Sequence, residues 1–188
     1  MRNKSRKVSR LIAVILILVL FTQSIFAAST NVSPITQEKS NWCWAACIRS
    51  ILQGSESQSS IVSYIMGPSL PNFTADSAQV RRAINHFASN VYTERFTTTL
   101  NYKSIKSNID QGYPIIALII GRNNSVGHYI VIFGYQDSGS NPNINYMDPY
   151  NATKYSIPFN SLLTGFQKTY NGTTQNFSWY ETVSVLGN

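Results

Sequence analysis

The sequence predicts an α+β domain, with helices gathered in the first half of the chain and strands in the second. Three observations carry this reading. Apolar residues recur at helical spacing between residues 43 and 88. From residue 91 onward, β-branched and aromatic runs dominate, broken by Gly-, Asn- and Pro-rich turns. A short basic and apolar leader stands apart from both.

The leader comes first. Arg2, Lys4, Arg6, Lys7 and Arg10 precede an unbroken apolar run at 11–21, and the small residues of SIFAAST follow. This is the pattern of a secretory signal peptide, and the apolar run is shorter than a spanning helix needs. The expected division is a signal peptide at 1–27, ending at Ala27, and one domain at 28–188. No membrane association is expected once the signal is removed. The expected location is outside the cell, with attachment to the cell wall left open. The chain carries a net charge of +7. Without the five basic residues of the leader, ten basic and eight acidic residues remain. No basic stripe interleaved with aromatics is present, so no nucleic-acid partner is expected.

The elements follow in order. Residues 28–36 are a polar strip, too short for a long inhibitory propeptide. A helix is expected from Cys43 to about Gln53, closed by Gly54. A second covers 60–66, and a third covers 75–88, opened by Thr74. Residues 91–97 read as a strand and 101–111 as a helix closed by Gly112. Buried strands are expected at 114–120 and 128–135, then at 144–148 and 153–157. A short helix begins in SIPFNSLL, and FSWYETVSVL completes the sheet.

Two cysteines in an exported chain suggest a disulfide. Cys43 and Cys47 lie four apart on one expected helix, where bridge geometry is unfavourable, so at least one thiol is expected free. Cys47 falls on the apolar face with Ile51 and reads as core. Cys43 falls in the first turn, where unpaired N–H groups and the helix dipole stabilise negative charge. It is the candidate nucleophile. Of the two histidines, His86 lies in RRAINHFASN, on or beside the apolar face, and reads as structural. His128 follows the flexible GRNNSVG and opens the apolar strand HYIVIFGY, as a general acid–base at a cleft would.

Asp148 ends INYMD and is held extended by Pro149. The turn-rich QDSGSNPN makes the two strands a hairpin, which returns Asp148 to the start of the strand that His128 opens. Asp137 lies at the far end of that hairpin, and Asn145 is a weaker competitor. Gln37, six residues before Cys43, could donate its amide to a developing oxyanion together with the Cys43 N–H. Two histidines and two cysteines match no zinc spacing, so neither metal nor cofactor is expected.

Gln37, Cys43, Trp44 and Ala45 resemble the active-site segment of papain-like cysteine peptidases, where a glutamine lies six residues before the nucleophile and Trp-Ala follows it. GHYIVIFGY and MDP are similar to the His and Asp/Asn strands of compact bacterial members, such as bacteriocin-exporter peptidases and plant-pathogen effector proteases. The resemblance implies a helical lobe with the nucleophile at a helix N-terminus and an antiparallel sheet lobe. It implies hydrolysis of a peptide or protein substrate through a thioester. Papain has asparagine where this chain has Asp148, and SNW differs from papain's loop before the nucleophile. Transglutaminase-like acyl transfer, a cell-wall amidase and a non-catalytic exported binding module are the alternatives. Oligomeric state is not legible in the sequence.

Overall fold

A computed structural model describes residues 27–88, 91–122, 126–137, 139–170 and 172–187. Most of the leader, residues 1–26, lies outside the described residues. Strand β1 (Ala27–Ser29) precedes three helices, α1 (Cys43–Ile51), α2 (Gln58–Met66) and α3 (Ser77–Phe87). Strand β2 (Val91–Phe96) and helix α4 (Tyr102–Asp110) lead into β3 (Ile115–Gly121), β4 (Gly127–Gln136), β5 (Asn143–Asp148) and β6 (Thr153–Pro158). Helix α5 (Phe159–Thr164) is followed by β7 (Phe166–Tyr170) and β8 (Thr173–Gly187).

The strands form one antiparallel sheet in the order β2-β8-β3-β4-β5-β6, with β1 added to β4 and β7 to β8. Two apolar clusters cover its faces. On one side, Trp44, Cys47 and Ile48 of α1 meet Ile116, Tyr129, Val131 and Met147; α3 packs beside α1 on β2 and β8, and α2 packs against both helices. On the other, Ile105 and Ile109 of α4 meet Ile115, Ile119, Ile130, Ile132 and Tyr146. Strand β4 is therefore buried on both faces, which is why its sequence is continuously apolar. Each such side chain stabilises the fold by about 1.5–3 kcal/mol on burial.

Three local expectations are corrected. Helix α3 starts later than Thr74: Asp76 is its cap, accepting from the Gln79 N–H while the Gln79 side chain accepts from the Asp76 N–H. That reciprocal box satisfies two end groups, which a lone threonine would not. The leading polar strip holds strand β1, with Ala28 opposite Tyr135. Strand β7 was not anticipated, and it changes the account of the site.

Candidate active site

Cys43 is the first residue of α1 and 5% exposed. Trp42 precedes it as the cap residue, and no side chain caps the helix, so no polar side chain competes at that end. The start of α1 is pinned from outside. Trp42 Nε1 donates to the Pro71 carbonyl at 3.0 Å, Trp44 Nε1 donates to that of Phe73 at 3.2 Å, and Asn41 pairs with Asn72. These bonds tie the 71–73 loop to the nucleophile's turn and hold the helix start against the sheet.

His128 stands near the start of β4 and is 5% exposed. The expected hairpin is present, with Val131 opposite Met147, so Asp148 at the end of β5 lies diagonally across from His128. His128 Nε2 is 2.8 Å from Asp148 Oδ1. Cys43 lines the same cleft as this imidazole. With Nε2 committed to Asp148, Nδ1 is the nitrogen left for Cys43. Burial pushes the imidazole toward its neutral form, but the bond to Asp148 and the charges of Asp148 and Cys43 raise its pKa to about 9. Burial pushes Asp148 up, yet the His128 bond and charge, followed by Lys168, hold it well below the usual carboxylate range.

Asp148 is 1% exposed and saturated with donors. Oδ1 also accepts from the Tyr150 N–H at 3.0 Å. Oδ2 accepts from the Tyr170 hydroxyl at 2.9 Å and lies 3.0 Å from Lys168 Nζ. Tyr170 also sets its ring against the imidazole, with centroids 4.3 Å apart. Lys168 and Tyr170 both come from β7 and had no place in the sequence reading. Their signal was present: FQKTY alternates, and the following Asn-Gly is a strong hairpin marker.

Gln37 lies beside the same residues. Its backbone N–H donates to the Pro149 carbonyl at 2.8 Å, which joins its loop to the one after Asp148. The buried Gln58 braces that loop, donating to the Thr36 carbonyl and accepting from the Glu38 N–H. Both amide donors of Gln37 are engaged, by the carbonyls of Lys39 at 3.0 Å and Ser40 at 2.8 Å, and its buried Oε1 has no hydrogen-bond partner among the described residues. Gln37 lines a cleft of about 240 Å³ with Ser40, Cys43, His128, Tyr150 and Tyr170.

The other sequence candidates fall elsewhere. His86 is exposed and stacks on Tyr64 with centroids 3.8 Å apart, so it lies on the solvent side of α3 rather than against the apolar face. Asp137 accepts from the Tyr102 hydroxyl. Cys47 is fully buried and free; burial, with Cys43 and Asp148 nearby, pushes its thiol up. Among the described residues, no group of three or more His, Cys, Asp or Glu side chains could hold a metal. None of their helices is long and apolar enough to cross a membrane.

The sequence profile of the Peptidase_C39 like family matches residues 29–177, which span α1, β4, β5 and β7. The chain belongs to this family. No curated protein matches it. Among solved structures it is similar to the crystal structure of UfSP from C. elegans, at 10% identity and a TM-score of 0.50. That likeness covers 91% of this chain and 36% of the UfSP chain, so this chain spans about a third of its length. The fold is papain-like: helices come first, the nucleophile candidate heads α1, and the antiparallel sheet of this C39-like chain follows.

Proposed function

We propose that this chain is an exported cysteine peptidase that cleaves peptide bonds through an acyl-enzyme on Cys43. The observation that carries the reading is the buried His128–Asp148 pair at 2.8 Å, with Cys43 at the head of a helix lining the same cleft as the imidazole. Cys43 Sγ attacks the substrate carbonyl carbon and becomes the thioester sulfur. His128 passes its proton to the leaving amine, then accepts one from the water that resolves the thioester. Asp148 orients the imidazole and offsets its charge. The Cys43 N–H and the Gln37 amide supply the oxyanion donors, and Gln37 must release one of its two carbonyls to do so. Export rests on the basic and apolar pattern of residues 1–21.

The test is a peptide library treated with purified residues 28–188, alongside Cys43→Ala and Gln37→Ala. Cys43→Ala should abolish turnover and labelling by an alkylating inhibitor. Gln37→Ala should lower kcat by about 10²–10³-fold, the usual cost of one oxyanion donor. Turnover that survives in Cys43→Ala would sink the assignment. Product formed only with an added amine would replace hydrolysis by transfer to that amine.

A further inference from the structure

Beyond the nucleophile, base and carboxylate, the site contains a fourth charge. Lys168 Nζ lies 3.0 Å from Asp148 Oδ2, with the two side chains 14% and 2% exposed. An ammonium so deeply placed needs compensation. It has the carboxylate on one side and the Tyr155 ring, 3.4 Å from Nζ to its centroid, on another; the Tyr146 ring lies farther off at 5.5 Å. The opposite oxygen, Oδ1, faces His128. Lys168 and His128 therefore pull on the two ends of one carboxylate.

We propose that Lys168 is a positioning residue that acts through Asp148 to set how readily His128 releases its proton. This rests on the Cys43–His128 reading above. In the working ion pair Cys43 is negative, His128 positive and Asp148 negative, which leaves one uncompensated charge in a buried cleft. Lys168 brings that sum to zero. By sharing the Asp148 charge, it stops the carboxylate from holding the imidazolium too tightly. By fixing Oδ2 together with the Tyr170 hydroxyl, it also keeps Oδ1 turned toward Nε2. Among the described residues, the other ionisable groups facing this site are Cys43 and Cys47 of α1, Tyr129 of β4, Tyr146 of β5, Tyr150 after β5, Tyr155 of β6 and Tyr170 of β7. None of them contributes a second cation. Lys154 of β6 turns instead to the Phe133 ring.

The chain has two histidines, so in a His86→Gln background the His128 ring is the only imidazole to follow by NMR. Removing a cation across a shared carboxylate leaves the imidazolium harder to deprotonate. In that background, Lys168→Met should raise the His128 titration midpoint by about one unit. The alkaline limb of kcat/KM should move up with it. A more basic imidazolium is a poorer acid toward the leaving amine, so kcat should fall about threefold to tenfold with KM little changed. Lys168→Arg should restore most of both. A residue that served only packing would lower Tm and leave the His128 midpoint where it was.

If Lys168→Met does not fold, Lys168→Gln is read in the same way. An unchanged His128 midpoint and an unchanged alkaline limb in a folded charge-free variant overturn the proposal. If the wild type cleaves no peptide while the midpoint still moves, hydrolysis fails and the coupling stands.

Discussion

Two clefts contain the two histidines, and they differ in a way that size does not predict. The cleft at His86 is the larger, about 620 Å³, and is lined by Arg81, Arg82 and Arg95 with the Tyr64–His86 stack. The cleft at His128 is about 240 Å³. In the first, His86 is exposed and Arg95 is already paired with Glu181 at 3.6 Å. In the second, a buried imidazole and thiol line the cleft, backed by a buried carboxylate and a half-buried ammonium. Water screens charges less in the second setting, where neighbours raise the His128 pKa and depress that of Asp148. The smaller cleft can therefore do proton chemistry, while the larger is a solvated basic surface.

The comparison breaks most sharply on the histidines themselves. His128→Ala should remove turnover to the level of the Cys43→Ala control, while His86→Ala should leave kcat/KM within about twofold, as exposed substitutions usually do. Equal losses in steady-state assays would end the distinction between the two clefts.

Asp148→Asn comes next in size. It keeps a hydrogen-bond acceptor for His128 but leaves the half-buried Lys168 without its counter-ion. Breaking such a pair costs about 3–5 kcal/mol, so denaturant unfolding should show a loss on that order. A variant as stable as the wild type would mean that the Lys168 ion pair contributes little.

The smallest effect is in the pH profile. The folded imidazole pKa, about 9, lies above its ordinary 6.5. Its contribution to stability is then fully present below pH 6.5 and is lost as pH rises through about 9. Asp148 is shifted the other way: its contribution is present above its ordinary 3.8 and is lost as pH falls toward its depressed value. Tm should therefore decline above pH 6.5, and activity should fall near pH 9. A Tm that keeps rising through that range would contradict the buried ion pair.

The helical half was legible because its signals are local. Trp44, Ala45 and the spacing from Gln37 to Cys43 identify α1, and Pro149 after Asp148 closes β5. The hairpin argument placed Asp148 beside His128 because register alone fixes that diagonal. Lys168 and Tyr170 were not legible in the same way. They reach Asp148 from a strand twenty residues later; the Asn-Gly after FQKTY marks the β7–β8 hairpin, but no short window shows that this hairpin comes to lie against Asp148. The commitment of the Gln37 amide to Lys39 and Ser40 is likewise a matter of loop conformation, which spacing does not encode.

Strand β1 governs how the chain can be tethered. It runs antiparallel to β4, with Ala27 opposite Gln136, while His128 stands eight residues back along the same strand. At the usual rise of a strand this separation is about 26 Å. Ala27 therefore lies at the end of β4 away from His128. Gly134 makes this seat possible, since a Cβ there would lie 2.8 Å from the Ala28 carbonyl. An affinity tag or a fused domain joined directly at Ala27 would thus be attached at the opposite end of β4 from His128.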